Sequence, residues 1–128
     1  MLVIEDKVVT SARYSNNWKE DQVMGEMFAA VHHIVSHSRT TLTYPVSVYA
    51  VRVIGTKFTF YKACATLEYI KESARSGMSI ENEMKVHRCP RVEDDPSRLT
   101  AYNICNKDDR MQILQCLCSI RKDICSQH

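Results

Sequence analysis

Glycine and proline are scarce, three of each in 128 residues. So few glycines leave no glycine-rich loop to cradle a phosphate, which excludes P-loop and dinucleotide-binding sites. With 45% hydrophobic and 25% charged residues, the chain reads as one packed globular domain over 1–128, not as a disordered or low-complexity segment. No apolar run approaches the roughly 18 residues of a membrane span. No basic start leads into an apolar stretch and cleavage site, so a secretory leader is not expected. The expectation is an intracellular protein, cytoplasmic or nuclear, with no membrane partner. Charge of one sign is also lacking: 17 Lys and Arg against 15 Asp and Glu leave a net +2. That balance permits nucleic-acid binding without pointing to it.

Cysteine is present but unpatterned. Cys64, Cys89, Cys105, Cys116, Cys118 and Cys125 include no Cys-x-x-Cys pair. Irregular spacing outside a secretory context favours reduced, mostly buried thiols over disulfides. A zinc set drawn from His87, Cys89 and Cys105 is the weaker reading. Cys116 and Cys118, two apart on an expected helix, point in different directions. His33 and His37 are spaced to share a helical face. Without the Glu or further His of a metalloprotease helix, however, they and His32 read as surface residues. No nucleophile elbow supports a Ser-His-Asp or Cys-His site.

Leu2, Val3 and Ile4 read as a buried strand ending in Glu5-Asp6-Lys7, and a polar loop follows over 8–17. The periodicity predicts a helix from about Trp18 to Ser36, capped by Asn16 or Asn17, with Glu20 and Asp21 suited to its positive first turn. Its apolar stripe is Met24, Met27, Phe28, Val31, Ile34 and Val35. Gln22, Glu26, Ala29 and His33 share another face, where Gly25 would let a backbone approach closely. Val46–Ile54 is β-branched and nearly all apolar, as in a strand covered on both faces. Gly55-Thr56 turns it into the alternating strand Lys57–Lys62. A helix over about 66–75 stopping at Gly77, a strand over 83–89, a polar loop over 91–98 and a final helix complete the order β-α-β-β-α-β-α. Asn106 or Asp108 caps that last helix, which runs to about Asp123 with Met111, Ile113, Leu114, Leu117, Ile120 and Ile124 apolar. The fold class is α/β (α+β) with a mixed sheet.

Glu5 and Lys7 alternate onto one face of their strand, a carboxylate beside an ammonium. Such a pair can hold a metal ion and orient a water for hydrolysis. Three features occur in order: Ile4-Glu5-Asp6-Lys7, then Gln22 in Gln22-Val23-Met24-Gly25-Glu26-Met27, then the hairpin Val48–Tyr61 with Gly55, Phe58, Phe60 and Tyr61. In this the chain resembles the PD-(D/E)XK, or restriction-endonuclease-like, nuclease superfamily over roughly residues 2–63. The hairpin is like those of nuclease domains predicted in crinkler-type effectors. Residues 64–128 would be an extension closing the domain.

The resemblance implies a restriction-endonuclease-like core lacking its first strand, and metal-dependent phosphodiester hydrolysis of DNA or RNA. Glu5 would bind Mg²⁺ or Mn²⁺, with the Asp6 carbonyl completing the coordination. Lys7 would position or activate water and offset phosphate charge, and Gln22 would orient the water or contact the phosphate. Lys57, Lys62 and Arg52 are candidates to approach a phosphate backbone, each otherwise an ordinary solvated charge. The family pattern also calls for an aspartate on a strand before Glu-x-Lys, which this sequence does not supply. Three arrangements meet that departure. The chain is a degenerate relative used for binding; or a carboxylate has moved to the helix, Glu26 first and Glu20 next; or another chain contributes the strand. The last fits a homodimer formed through the N-terminal edge strand.

Overall fold

The computed structural model describes residues 1–7, 20–76, 81–91 and 100–127, with the backbone alone at Glu5, Asp6, Lys7 and Ser76. Strand β1 (Leu2–Lys7) leads to helix α1 (Asp21–His37) and to the hairpin of β2 (Val46–Ile54) and β3 (Lys57–Ala65). Helix α2 (Leu67–Ser76), strands β4 (Lys85–Cys89) and β5 (Tyr102–Asn103), and helix α3 (Lys107–Ser126) follow. The expected alternation of elements is present, with β5 added. Two residues are too short to leave a periodic signature in sequence.

The sheet is mixed, in the order β1-β2-β3-β4, with β5 also pairing β3. β1 runs parallel to β2, and such a pair needs a crossover, which contains α1. β2 and β3 pair without a break from Val46↔Ala65 to Ile54↔Lys57, about a turn in which Gly55 has φ 62°. That left-handed conformation is open to glycine at little steric cost. β4 and β5 share the far edge of β3, β4 against Phe60–Cys64 and β5 against Lys57–Phe58. The second half of the chain is therefore built into the same sheet as the first.

Alternation along β2 divides the core into two layers. Val46, Val48 and Ala50 pack with Val23, Met27, Ala30 and Val31 of α1 and Tyr69 and Ile70 of α2. Tyr49 and Val51, with Phe60 of β3, pack under Ile113 and Ile120 of α3. β2 is thus covered on both faces, as its uninterrupted apolar run implies.

The helices depart from expectation in detail. On α1 the buried stripe is Val23, Met27, Ala30 and Val31, while Phe28 is 36% exposed and Met24 half-buried. Small Ala30 lets the helix approach the sheet, and the bulky Phe28 ring moves to the flank, against His32 at 4.4 Å. The helix starts at Asp21 behind Glu20 as N-cap, whose side chain makes no cap hydrogen bond. Asn16 and Asn17, the expected caps, lie outside the described residues. Gly25 serves no close approach either, since a Cβ added there meets nothing within 4 Å. On α3 only Ile113 and Ile120 are buried; Met111, Leu114 and Leu117 are 54%, 56% and 39% exposed. α3 rests on a small apolar patch of the sheet, so a narrow stripe is all it can cover. Asn106 caps α3 as expected, accepting from the amides of Asp108 (2.9 Å) and Asp109 (3.2 Å). Among the described residues no helix is long and apolar enough to cross a membrane.

Candidate functional site

The end of β1 that carries Glu-x-Lys lies beside the end of β2, with Glu5, Asp6 and Lys7 in register against Arg52, Val53 and Ile54. The side chains of Glu5, Asp6 and Lys7 lie outside the described residues. Gln22 and Glu26 are one turn apart on α1, where the Gln22 amide Nε2 donates to Glu26 Oε1 at 3.2 Å. Helical spacing puts them on one stripe with His33 and His37, and both histidines line a cleft of about 680 Å³ with Met1. The opposite flank carries His32, whose Nε2 lies 3.3 Å from Ser73 Oγ of α2. The Gln22–Glu26 stripe therefore lies on the β1 side of α1.

Arg52 is not the solvated charge its position in a hairpin suggests. It is 1% exposed, beside Thr59 at 2%, on the sheet face under α1. Buried cations are sustained by neighbouring polar groups. Next along β3, Tyr61 is also buried and donates its hydroxyl to Glu20 Oε1 at 2.7 Å. The same carboxylate oxygen accepts from Arg88 Nε of β4 at 2.5 Å. Arg88 also donates to the carbonyls of Pro90 and Thr100, the latter at 2.6 Å. Burial pushes the Tyr61 phenol well above its usual range, and Glu20 raises it further, while Arg88 and Arg52 draw it back. Tyr61 accordingly keeps its proton and acts as a donor.

Of the two helical carboxylates Glu20 and Glu26, Glu20 is the one turned inward, and it is already neutralised by Arg88. Glu26 lies on the β1-side stripe, engaged only by Gln22 in the contacts given above. No group of three His, Cys, Asp or Glu side chains able to hold a metal ion occurs among the described residues. His87, Cys89 and Cys105 in particular do not assemble into one. The described donor set toward a hard divalent ion is thus Glu26 alone, and on its own it does not make a cation site.

The α3 face carries a second polar group. Tyr49 donates to Asp123 Oδ2 at 2.8 Å, and Lys62 Nζ lies 3.6 Å from the same oxygen and 5.4 Å from the Tyr49 ring. Lys62 is thereby drawn into an ion pair, with its side chain still 42% exposed. Nearby, the Cys89 thiol and the Tyr102 hydroxyl are 3.1 Å apart. All six cysteines are free, but the expectation of mostly buried thiols fails: Cys105, Cys118 and Cys125 are exposed and the others half-buried. His33 and His37 are exposed and stack at 4.2 Å, whereas His32 packs between Phe28 and Ser73. Ser73 donates to the Ile70 carbonyl at 3.2 Å and is 3% exposed, a packing role and not that of a nucleophile.

Sequence reasoning missed the Glu20–Tyr61–Arg88 group because its members lie on three elements. The available signal was polarity on a covered face: Tyr61 and Arg88 fall in phase with Ala63 and Val86. Compared with known proteins, the chain matches no family model, no curated protein and no solved structure.

Proposed function

We propose that this is a nuclease-like domain related to metal-dependent phosphodiester hydrolases, acting on DNA or RNA. One relationship carries the reading: helical spacing turns the Gln22–Glu26 stripe, in line with His33 and His37 beside Met1, toward β1, the strand that bears Glu5-x-Lys7. Ligands of open α/β sheets gather at the carboxyl ends of such parallel strands. In this reading Glu5, with the Asp6 carbonyl and Glu26, is the site for Mg²⁺ or Mn²⁺, which supplies Lewis-acid stabilisation of phosphate charge when bound. Lys7 orients water by hydrogen bonding, and Gln22 holds a phosphate oxygen or that water. Arg52, in register beside Glu5, contributes a fixed positive field to this end of the sheet. The test is cleavage of single- and double-stranded DNA and RNA oligonucleotides with Mg²⁺ or Mn²⁺. Cleavage should fall by at least about 100-fold in Lys7→Ala. Absence of cleavage with either ion, or a Lys7→Ala variant of undiminished activity, overturns the reading.

A second reading, a non-catalytic interaction module that pairs with a second copy, rests on a different observation. Among the described strands β1 lies at the sheet edge, and its Leu2 and Ile4 are 39% and 67% exposed. They stand opposite Tyr49 and Val51, on the α3 face. On α3, Asp123 and Cys116 reach toward β3 and β4. Helical spacing turns Leu117 and Leu114 to the opposite flank, toward β1. An edge strand next to such a strip suits antiparallel addition of the same strand about a two-fold axis. Sedimentation equilibrium should then find a dimer that Ile4→Lys converts to monomer; a wild-type monomer at high concentration removes this reading.

A further inference from the structure

We propose that Cys89 of β4 and Cys116 of α3 form a disulfide that staples the helix to the sheet when a peroxide reaches them. Three observations converge on this pair. Both cysteines pack against the same buried cluster, which includes Phe60 and Ile120. Cys89 is near enough to act on the Cys116 thiol as a direct neighbour. The Tyr102 hydroxyl lies 3.1 Å from the Cys89 sulfur. The remaining cysteines are placed otherwise: Cys64 faces Ser47 Oγ at 3.7 Å, and Cys105, Cys118 and Cys125 are exposed.

The surroundings assign the two sulfurs different parts. Burial, and then the neighbouring Cys89, push the Cys116 thiol up to about 11, so it stays protonated near neutrality. The hydrogen bond with Cys89, ahead of burial, pushes the Tyr102 phenol up to about 12, so it keeps a proton to donate toward the Cys89 sulfur. The thiolate is the attacking form in the oxidation that follows. The Cys89 thiolate takes one oxygen of the peroxide as the O–O bond breaks, and the departing hydroxide leaves as water after protonation. The Cys116 sulfur then attacks the sulfenic sulfur; its proton goes to the leaving hydroxyl, the S–O bond breaks and the S–S bond forms. Two thiols and one hydrogen peroxide give one disulfide and two waters.

The test uses the full chain carrying Cys105→Ser, Cys118→Ser and Cys125→Ser, which leaves Cys64, Cys89 and Cys116. Hydrogen peroxide treatment, alkylation and peptide mass mapping should find Cys89 joined to Cys116, with the loss of two hydrogen atoms. The melting temperature should rise, and dithiothreitol should reverse both changes. In the same background with Cys116→Ala, Cys89 should stop at sulfenic acid and be trapped by dimedone. A linkage through Cys64, or Cys89 and Cys116 both still alkylated after treatment, overturns the proposal.

Discussion

Glu20, at the start of α1, and Arg88, on β4, meet at 2.5 Å across a sequence separation that no local pattern spans. Their side chains are only 29% and 14% exposed, and Tyr61 shares the acceptor oxygen. Removing one partner strands the other in a partly dry site. Glu20→Ala is expected to lower stability by about 1–3 kcal/mol in urea denaturation. Glu20→Gln, which still accepts from Tyr61, should cost less. A Glu20→Ala and Arg88→Ala double-mutant cycle with no coupling would show that the contact contributes nothing.

Gly25 lies inside α1, exposed, with open space where a Cβ would stand. Glycine in a helix interior is penalised by the backbone entropy it must lose on folding. Gly25→Ala should therefore stabilise the domain by roughly 0.5–1 kcal/mol, read as a higher denaturation midpoint with unchanged slope. A loss of stability would mean that something approaches this face after all.

Asn106 is the side-chain cap of α3, and its oxygen serves two amides. Asn106→Ala should cost about 1 kcal/mol, whereas Asn106→Asp keeps the acceptor and adds charge at the positive helix end. Equal stability of the Ala and Asp variants would exclude the cap as a contributor.

Alkaline pH should weaken the α3 face. The Cys116 thiol is raised from 9.0 to about 11, chiefly by burial and then by Cys89. A raised value means that the native state holds the proton more tightly than the unfolded chain. Its contribution is therefore complete below pH 9 and is lost as pH climbs through about 11. Tyr102, raised to about 12 chiefly by Cys89, continues the same trend at higher pH. Denaturation followed between pH 8 and 11 should show this decline, and Cys116→Ala should flatten it; an unchanged slope in that variant would assign the loss elsewhere.

Local signals located the elements better than they located the contacts. The hairpin was legible because β-branched Val46–Ile54 and the Gly55 turn act within a few residues of each other, and Asn106 because a cap needs only the next three residues. The orientation of α1 was less so. Apolar spacing alone favours Phe28, but the sheet takes the smaller Ala30, a preference set by distance to strands far away in sequence. Arg52 shows the same limit: on a strand otherwise apolar it reads as a solvated exception, and only the pairing of β1 and β3 on either side reveals it as buried. For the candidate site, the stripe of Gln22 and Glu26 was readable from helical period, whereas the inward turn of Glu20 was not.

The two faces of the sheet are unequally sheltered. Two clusters lie under α1 and α2, one under α3, and the longest helix is anchored by just two buried residues, Ile113 and Ile120. Helix length then does not track persistence. α3 is the natural first unit to detach in sub-global opening, with the β2–β3 hairpin and α1 left standing as the slower-exchanging remainder. What leaves first would uncover Tyr49, Val51 and Phe60 together, so the earliest opened state of this protein is one that exposes aromatic surface.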